Sequence, residues 1–453
     1  MAQTAAETKG KSEAYTVLSL AWPAIAESFF VSLAGFIDTM MVSSLGETAV
    51  AAVGLTNQPK FLMLAPFIAM NVATSAIVAR RRGEGRQDEA NRTVMVLIAV
   101  VTGLSILMGA LCIGVAKPLM LFVGAQADTV DDATLYYRII MGCMIFNTLS
   151  MVINAAQRGS GNTKIAMRTN VTSSAVNICG NYLLIGGHFG FPALGIRGAA
   201  IATVAGTVVA CVMCFVSLFK KGTFLSIPLW KEKRLKLSFA PMKSVVRLAS
   251  SVFAEQLLIR VGFMASTMIA ANLGTRPMAV HQVGMNLLGL NFSFGDGLQA
   301  AAVALIGRSL GEGDPAKAKR YAGICFRCGL VIAAALSAFF LIFGKLIYGW
   351  FFDDPELVSM GVTVMQMMVV VVLFQVPQVV FMGTLHGAGD VFVAAAIGIF
   401  SVTVVRTAVA MLCVYVLHFG LHGVWIGIIA DQVCRFTLGF LRYRSGKWMS
   451  KKV

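Results

Sequence analysis

A carboxylic acid, Asp38, lies deep in the first apolar segment of the chain. Asp38 occurs in A-G-F-I-D-T-M-M-V, flanked by small and apolar residues. An ionisable group at membrane depth is costly and usually faces a cavity or a partner. Because desolvation favours the neutral form of a carboxyl group, Asp38 is a candidate for binding and releasing a proton. A fixed hydrogen bond to a neighbouring polar side chain is the alternative.

Amide and hydroxyl side chains of later segments are candidates to contact this acid. Asn177 and Asn181 are four residues apart, so on a helix they share one face. Together with Thr203 and Asn154 they are predicted to form a polar pocket around Asp38. Packing of amide side chains between helices is the alternative interpretation.

Several further charges lie inside apolar segments. The cations are Lys60, Arg260 and Arg406, and the acids available to them are Asp38, Asp296 and Asp431. Each cation either pairs with an acid or lines a cavity. Asp431 and Arg435 have the spacing of a local helical pair. If Lys60 and Arg260 lined a cavity without partners, they would favour an anionic or zwitterionic ligand.

The composition indicates that these groups are held in a membrane. Of 453 residues, 57% are hydrophobic and 13% are charged, and the mean hydropathy is +0.79. Soluble proteins carry about 25% charged residues, so an ordinary soluble enzyme is excluded. The segments are apolar all round, which favours helices over transmembrane strands. Twelve spans are predicted, near 14–44, 48–79, 93–122, 130–157, 164–187, 195–219, 241–273, 276–307, 321–347, 356–385, 391–417 and 421–442.

The basic residues collect in alternate loops. They include Arg80–Arg82, Arg158, Lys164, Lys220, Lys221, Arg234, Lys236, Arg308, Lys317, Lys451 and Lys452, whereas the opposite loops carry Asp128, Asp131, Asp132, Asp353 and Asp354. By the positive-inside rule, both termini are predicted to be cytoplasmic. The net charge of +16 is therefore read as a topology signal and not as a nucleic-acid surface.

The chain is also an internal repeat. An offset of 228 relates Glu27 to Glu255, Gly83-Glu84-Gly85 to Gly311-Glu312-Gly313, and Gly159 to Gly387, and the offset falls by three near the end. Six spans per half give both halves the same topology. We therefore predict an all-α integral membrane protein of twelve transmembrane helices, in two six-helix lobes related by a pseudo-two-fold axis along the membrane normal. The predicted divisions are an N-lobe at 1–219, a basic cytoplasmic linker at 220–240 and a C-lobe at 241–453.

Other chemistry has no support in the sequence. There is no G-x-x-x-x-G-K-[ST] phosphate loop, so ATP hydrolysis is not expected and no ATPase subunit is implied. The five histidines lack metal-ligand spacing, and the nine cysteines are scattered through apolar segments. We expect no enzyme activity, no catalytic or metal-binding residues and no cofactor.

A series of short motifs resembles the multidrug and toxic compound extrusion (MATE) family of secondary transporters over nearly the full length. They are P-A-I-A-E at 23–27, D-T-M-M-V-S-S-L-G at 38–46, G-E-G at 83–85 and 311–313, Y-Y-R-I at 136–139, Q-R-G-S-G-N-T at 157–163, G-I-R-G-A-A-I-A-T at 195–203 and S-G-K-W at 445–448. Their order, across both halves, makes the resemblance specific.

The resemblance implies an alternating-access antiporter that exports organic, drug-like compounds in exchange for H⁺ or Na⁺. In the proton-coupled pattern of this family an acid in the first span acts with polar residues of spans four to six. Asp38, Asn177 and Thr203 match that pattern, Tyr137 and Asn154 match it loosely, and Asn181 stands where some members have aspartate. The NorM-like acid is replaced by Ile259, so the chain is predicted to be bacterial-type and DinF-like rather than NorM-like in its polar residues.

The remaining expectations concern the cavity and its surroundings. Candidates to line the substrate cavity are Glu27, Lys60, Glu255, Gln256, Arg260 and Asp296. A monomer is expected in the plasma (cell inner) membrane, with a small-molecule substrate, the lipid bilayer and no nucleic acid as partners. The alternatives are a lipid-linked precursor flippase or exporter of anionic or zwitterionic metabolites, and a membrane scaffold or receptor that transports nothing. The lone intramembrane acid disfavours a scaffold.

Overall fold

The computed structural model describes residues 13–45, 47–123, 125, 127, 129–220, 222–233, 239, 242–352 and 354–450. Several residues named from the sequence lie outside these ranges: Gly46, Asp128, Lys221, Arg234, Lys236, Asp353, Lys451 and Lys452. The same holds for 1–12 of the predicted N-lobe and for most of the second half of the predicted linker.

Twelve helical spans follow one another along the chain. They are α1 (Glu13–Ser43), α2 (Glu47–Gly83), α3 (Gln87–Phe122), α4 (Val130–Gly142, continued by Met144–Gly159), α5 (Thr163–Ile185), α6 (Ile196–Phe219), α7 (Met242–Ala271), α8 (Thr275–Gly311), α9 (Pro315–Phe351), α10 (Pro355–Ala388), α11 (Val391–Val416) and α12 (Leu421–Arg444). The described part of the chain contains no β-strand. The predicted all-α, twelve-helix fold class is confirmed, with most boundaries within a few residues.

Hydropathy separates two of these spans from the others. Among the described residues, nine helices are long and apolar enough to cross a membrane individually, and the bent α4 adds a tenth. The two that fall below this threshold are α5 and α8. In α5 the cause is visible, because Asn170, Asn177 and Asn181 interrupt its apolar sequence. Inside a membrane protein such residues are placed for contacts with other helices or with a cavity.

The chain divides into two compact units. The N-terminal unit comprises Ala26–Ala249, and the C-terminal unit comprises Ser250–Val453 together with Met1–Ile25. Both divisions fall inside helices, α1 and α7, whereas the sequence places the lobe boundaries in the loops at 219 and 241. The lobe boundaries themselves stay a prediction. Within the N-terminal unit the chain after α6 forms a short helix, Ile227–Glu232.

That short helix is fastened to the start of α3. The Asn91 Oδ1 atom accepts hydrogen bonds from the backbone N–H of Ser226, at 3.0 Å, and from Trp230 Nε1, at 2.7 Å. Lys233 adds an ion pair to Asp88, with 2.7 Å between Nζ and Oδ1. The first half of the predicted linker is therefore anchored within the N-terminal unit.

Two spans depart from regular α-helical geometry. α4 bends by 47° between Gly142 and Met144. α11 contains two π-helical stretches, Phe400–Arg406 and Leu412–Val416. Such stretches are rare and often occur at functional positions.

The internal repeat is visible in how helices approach one another. A Cβ atom on Gly159 would lie 2.4 Å from the carbonyl oxygen of Ser75, and a Cβ atom on Gly387 would lie 2.8 Å from that of Val303. Both pairs are related by the offset of 228. The backbone of α4 therefore packs directly against the backbone of α2, and the backbone of α10 packs in the same way against that of α8. Only glycine permits so close a contact.

The C-terminal unit has a large apolar core around α8, α9, α10 and α12. Trp425, Met368 and Tyr348 are fully buried in it. The Tyr348 hydroxyl donates a hydrogen bond to the carbonyl oxygen of Val280, at 3.1 Å.

Candidate functional site

Asp38 lies in α1 of the N-terminal unit and is bound by an amide from α5. Asn181, which is fully buried, donates a hydrogen bond from Nδ2 to Asp38 Oδ1. Asn177, one turn earlier, interacts with the same carboxyl group. Its Nδ2 also donates to Thr203 Oγ1 on α6, at 3.0 Å. The predicted grouping of Asp38 with Asn177, Asn181 and Thr203 is present in the structure.

A cation completes this cluster. Lys60 of α2 interacts electrostatically with Asp38. Its Nζ atom also lies over the ring of Tyr136, 5.1 Å from the ring centroid. Of the partners considered for Lys60 in the sequence, the structure selects Asp38. We call Asp38, Lys60, Tyr136, Asn177, Asn181 and Thr203 the Asp38 cluster.

Two residues assigned to this pocket from the family pattern lie elsewhere. Tyr137 is fully buried and donates from its hydroxyl to Cys112 Sγ of α3, at 3.4 Å. The neighbouring Tyr136 takes its place, since it contacts Lys60 and interacts with Asp38 and Thr203. Successive residues of a helix point about 100° apart, so an alignment shifted by one residue selects the wrong tyrosine.

Asn154 belongs to a second network at the other end of α5. Its Oδ1 accepts a hydrogen bond from Thr169 Oγ1, at 3.1 Å, and its Nδ2 donates to Asn170 Oδ1, at 3.4 Å. Asn170 precedes Asn181 by eleven residues of one helix, which corresponds to about 16 Å. The prediction that Asn154 joins the pocket around Asp38 is therefore wrong.

Glu27 is the centre of that second network, the Glu27 network. Its Oε1 accepts from Arg158 Nη1, at 2.7 Å, and from Asn170 Nδ2, at 2.6 Å. Arg158 Nη2 also donates to Asn71 Oδ1, at 3.3 Å. Glu27 is 7% exposed. A buried carboxylate held by a guanidinium and an amide fits the structural role that its symmetric position suggested, more closely than a place in the substrate cavity.

Glu255 occupies the equivalent place in the C-terminal unit. Its Oε2 lies 3.8 Å from Nε2 of His386, which belongs to α10. His386 Nδ1 is 3.4 Å from the amide nitrogen of Gln299 on α8. Both Glu255 and His386 are buried. The sequence singled out Glu255 but not His386.

A charged triad lies deeper in the same unit. Arg406 Nη2 is 2.6 Å from Asp431 Oδ2, and Arg435 Nε is 2.9 Å from Asp431 Oδ1. Both pairings were considered in the sequence, and the structure contains both. The second face of the Arg406 guanidinium lies over the ring of Phe263, 4.6 Å from its centroid. Arg406 and Asp431 are 0% exposed, so this cation does not line an open cavity.

The remaining cavity candidates are placed as follows. Gln256 and Arg260 of α7 are half-buried, and Asp296 of α8 is exposed. Lining of the substrate cavity by these three residues stays a prediction.

No cluster of three or more histidine, cysteine, aspartate or glutamate side chains in the described ranges is arranged to hold a metal ion. The nine cysteines carry free thiols. The polar chemistry of the molecule is thus concentrated in intramembrane carboxylates and their partners. A chain of twelve helices with such groups at membrane depth is a multi-pass membrane protein of the transporter type.

Comparison with known proteins identifies the family. The MatE family model matches residues 23–183 and again residues 252–412, one match in each half. "Uncharacterized transporter YisQ" of Bacillus subtilis is 26% identical over 449 residues, which cover 98% of this chain and 97% of that protein. "Probable multidrug resistance protein NorM" of Thermotoga maritima is 26% identical, with 96% and 93% covered.

Solved structures agree in fold. An outward-facing multidrug resistance MATE family transporter of the MOP superfamily superposes with a TM-score of 0.89 at 22% identity, over 96% of this chain and 97% of that one. A MOP superfamily transporter from Pyrococcus furiosus gives the same TM-score at 22% identity, over 98% of both chains. The chain belongs to the MatE family. It is accordingly a transporter and not an enzyme, and the choice between DinF-like and NorM-like subtypes stays a prediction.

Proposed function

We propose that this protein is a secondary active antiporter that exports organic compounds, cationic or amphipathic, in exchange for H⁺ by alternating access. Asp38 is the coupling acid. The observation that carries the proposal is the carboxylate itself, which lies in α1, accepts a hydrogen bond from the Asn181 amide and interacts electrostatically with Lys60. Relatives that carry multidrug resistance names, among them NorM of Thermotoga maritima and PmpM of Pseudomonas aeruginosa, support export of drug-like compounds.

The charges of the Asp38 cluster give a physical reason for exchange. With Asp38 ionised, its charge and that of Lys60 cancel. Protonation of Asp38 leaves the Lys60 charge uncompensated, and this charge repels a cationic substrate. Substrate and proton therefore favour different states of the same site, which is the thermodynamic requirement for coupling.

The amide of Asn181 can follow this change. While Asp38 is ionised, Asn181 donates through Nδ2, and its own Oδ1 is buried without a hydrogen-bond partner. A protonated carboxyl group is a donor, and an amide can accept from it through the oxygen. When Asp38 of α1 is protonated, a flip of the Asn181 amide keeps the hydrogen bond, and in this way the change at Asp38 alters the side-chain orientation on α5. Asn177 carries the same contact to Thr203 on α6.

A proteoliposome experiment tests the proposal. A pH gradient is imposed without Na⁺, a lipophilic cation such as ethidium is added, and proton movement is followed with a pH-sensitive dye. Substrate-dependent proton movement is expected in the wild type and not in Asp38→Asn. Asp131→Asn, which removes an exposed acid from the same unit, is the matched control and should behave as the wild type.

Two outcomes would contradict the proposal. Retained gradient-driven export by Asp38→Asn would remove Asp38 from the coupling path. Export that requires Na⁺ and ignores the pH gradient would replace H⁺ by Na⁺ as the coupling ion. No cofactor beyond the coupling ion is proposed.

Export of an anionic or zwitterionic compound, or of a lipid-linked precursor, is the second candidate. A structural neighbour from Pyrococcus furiosus is described as having a binding pocket of reverse polarity, suggesting a different function. In this chain, Lys60 faces Asp38 and the Tyr136 ring, so its charge is balanced in the ionised state, which favours the cationic class. Transport of an anionic headgroup analogue that is lost in Lys60→Met would reverse this preference.

The orientation and setting are part of the proposal. We place the protein in the plasma membrane, as a monomer, with both termini in the cytoplasm. Arg80, Arg81 and Arg82 at the end of α2 and Arg308 near the end of α8 are the anchors for that orientation. Labelling of single cysteines introduced near Lys447 and near Asp131, with a membrane-impermeant reagent on intact cells, distinguishes the two sides.

A further inference from the structure

The Glu27 network has a counterpart in the C-terminal unit at every one of its four main positions. With the offset of 228, Glu27 corresponds to Glu255, Asn71 to Gln299, Arg158 to His386, and Asn170 to Gly398. In the structure the first three counterparts contact one another in the same order. The two networks therefore form an internal comparison, in which the framework is shared and the side-chain chemistry differs.

In the N-terminal unit the cation is permanently charged, although Glu27 Oε2, like Glu255 Oε2, is buried without a hydrogen-bond partner. A guanidinium stays protonated at every physiological pH. Arg158 holds Glu27 Oε1 at 2.7 Å, and Asn170 supplies a second donor to the same oxygen at 2.6 Å. Nothing in this network requires a proton to enter or leave, so it acts as a fixed brace between α1, α4 and α5.

In the C-terminal unit the same framework holds an imidazole, which changes its charge near neutral pH. Glu255 Oε2 and His386 Nε2 are 3.8 Å apart, too far for a hydrogen bond. Both atoms are buried and have no hydrogen-bond partner. Two unsatisfied buried atoms that face each other are costly, and one added proton on the imidazole supplies the charge that draws them together.

The neighbouring side chains can accommodate this proton. Gln299 can donate to His386 Nδ1 or accept from it, because an amide has both a donor and an acceptor end. At Gly398 the donor supplied by Asn170 in the other unit is missing. A Cβ atom there would lie 2.9 Å from Glu255 Oε1, so the carboxylate occupies space that a side chain would otherwise fill.

The charges around the pair come from three further helices. Arg435 of α12 interacts electrostatically with Glu255, and it is held by Asp431, which also holds Arg406 of α11. Arg260 follows Glu255 along α7, and the exposed Asp296 precedes Gln299 on α8. The two arginines of the triad balance Asp431 and an ionised Glu255. A proton at His386 therefore changes the net charge of this buried region by one.

We propose that Glu255 and His386 form a second proton-binding site, in the C-terminal unit and separate from Asp38. One proton is taken up on His386 Nε2 or Nδ1 and shared with the Glu255 carboxylate. The equivalent position in the N-terminal unit holds Arg158, whose guanidinium keeps its charge. The existence of this site does not depend on the proposed function, but its use does: if the chain is a proton antiporter, one proton more is exchanged per substrate than Asp38 alone supplies.

The site is tested first without any substrate, by thermal unfolding of the purified full-length protein at about pH 5.5 and about pH 8. His386→Arg installs the charge that Arg158 has in the other unit. If the site binds a proton as proposed, the wild-type imidazole carries the same charge at the acidic pH and loses it at the alkaline pH. The difference in melting temperature, His386→Arg minus wild type, should therefore be about 1–3 °C larger at about pH 8 than at about pH 5.5.

Two matched variants keep the result interpretable if the larger arginine disturbs packing. Arg158→His makes the opposite change in the other unit, so its melting temperature should fall further below the wild type at pH 8 than at pH 5.5. His281→Gln alters another buried histidine and should give the same difference at both pH values. Differences independent of pH for both His386→Arg and Arg158→His would overturn the proposal.

A transport measurement then distinguishes failure of the second proton site from failure of the proposed antiport function. In the proteoliposome assay, His386→Arg should still export and should move one proton fewer per substrate, whereas Asp38→Asn should lose coupling. An unchanged proton-to-substrate ratio in His386→Arg would rule out a role for the site in coupling. If the exchanged ion proves to be Na⁺, the proposed function fails, and the pH-dependent melting of the two variants still decides whether the site binds a proton.

Discussion

Replacement of Asp431 by asparagine removes the negative charge that lies between Arg406 and Arg435. Asp431 is 0% exposed. It accepts hydrogen bonds from Arg406 Nη2 at 2.6 Å, from Arg435 Nε and Nη2, both at 2.9 Å, and from Gln432 Nε2 at 3.2 Å. Asparagine keeps the size of the side chain and one oxygen acceptor. The variant therefore isolates the charge while it changes the packing very little.

The expected loss has two parts of different size. Four hydrogen bonds inside a membrane protein, at about 0.6 kcal/mol each on average, account for about 2.4 kcal/mol. Removal of one partner from a buried ion pair costs about 3–5 kcal/mol, because the other charge is left uncompensated. With an unfolding entropy of about 2.1 cal/mol/K per residue, the larger figure corresponds to a melting temperature about 3–5 °C lower.

A thiol-reactive fluorescent dye provides the assay, because unfolding exposes cysteines such as Cys325 and Cys413, which are buried and free. Asp131→Asn is the control. Its partner Lys117 is 3.1 Å away, and the two side chains are 83% and 55% exposed, so the change should stay within about 1 °C. A melting temperature for Asp431→Asn as close to the wild type as that of the control would refute the reasoning.

Two further predictions concern packing and pH. Gly159→Ala places a Cβ atom 2.4 Å from the Ser75 carbonyl oxygen. In a denaturant titration this variant should lower the free energy of unfolding by about 1–3 kcal/mol. In the same titration the control Gly103→Ala, whose Cβ atom would have no atom within 4 Å, should be neutral or stabilising. Burial by itself raises the pKa of Glu312 in the loop after α8, but its hydrogen bond and charge interaction with Lys317, together with Arg308, hold the net pKa below the ordinary value. The interactions of the ionised Glu312 therefore stabilise the fold at pH values above the ordinary carboxyl pKa, and this stabilisation is lost as the pH falls. The melting temperature of Glu312→Gln should be below that of the wild type at about pH 7 and equal to it at about pH 3. An equal difference in melting temperature at both pH values would contradict this.

Hydropathy and charge predicted the fold because a bilayer demands long apolar helices with satisfied backbones. The order of twelve helices and the offset of 228 were both readable in this way. The same offset also relates Arg158 to His386, Asn71 to Gln299 and Asn170 to Gly398. These polar positions were available as a signal. None of them stands out in its own segment, so they become recognisable only when the two halves are aligned.

The residues of the Asp38 cluster were only partly predictable. Asn177 and Asn181 share a helix face by their spacing alone, and the structure places that face towards Asp38. Tyr136 in place of Tyr137 depends on the rotation of α4, which also bends by 47°. Spacing along one segment does not determine how another segment is rotated against it, so tertiary contacts of this kind need the structure.

The π-helical stretch of α11 determines where a positive charge is placed. Ser401, Val402, Arg406 and Ala410 are buried, so the buried side of this stretch includes residues spaced by five as well as by four. In an uninterrupted α-helix a step of five residues turns the side chain by about 500°, or about 140° away from its starting direction. The wider turn at Phe400–Arg406 brings the direction of Arg406 closer to that of Ser401, so that both lie on the buried side of α11. If this segment were shorter by one residue, Arg406 would turn towards another face of α11, and Asp431 would lose one of its two counter-charges.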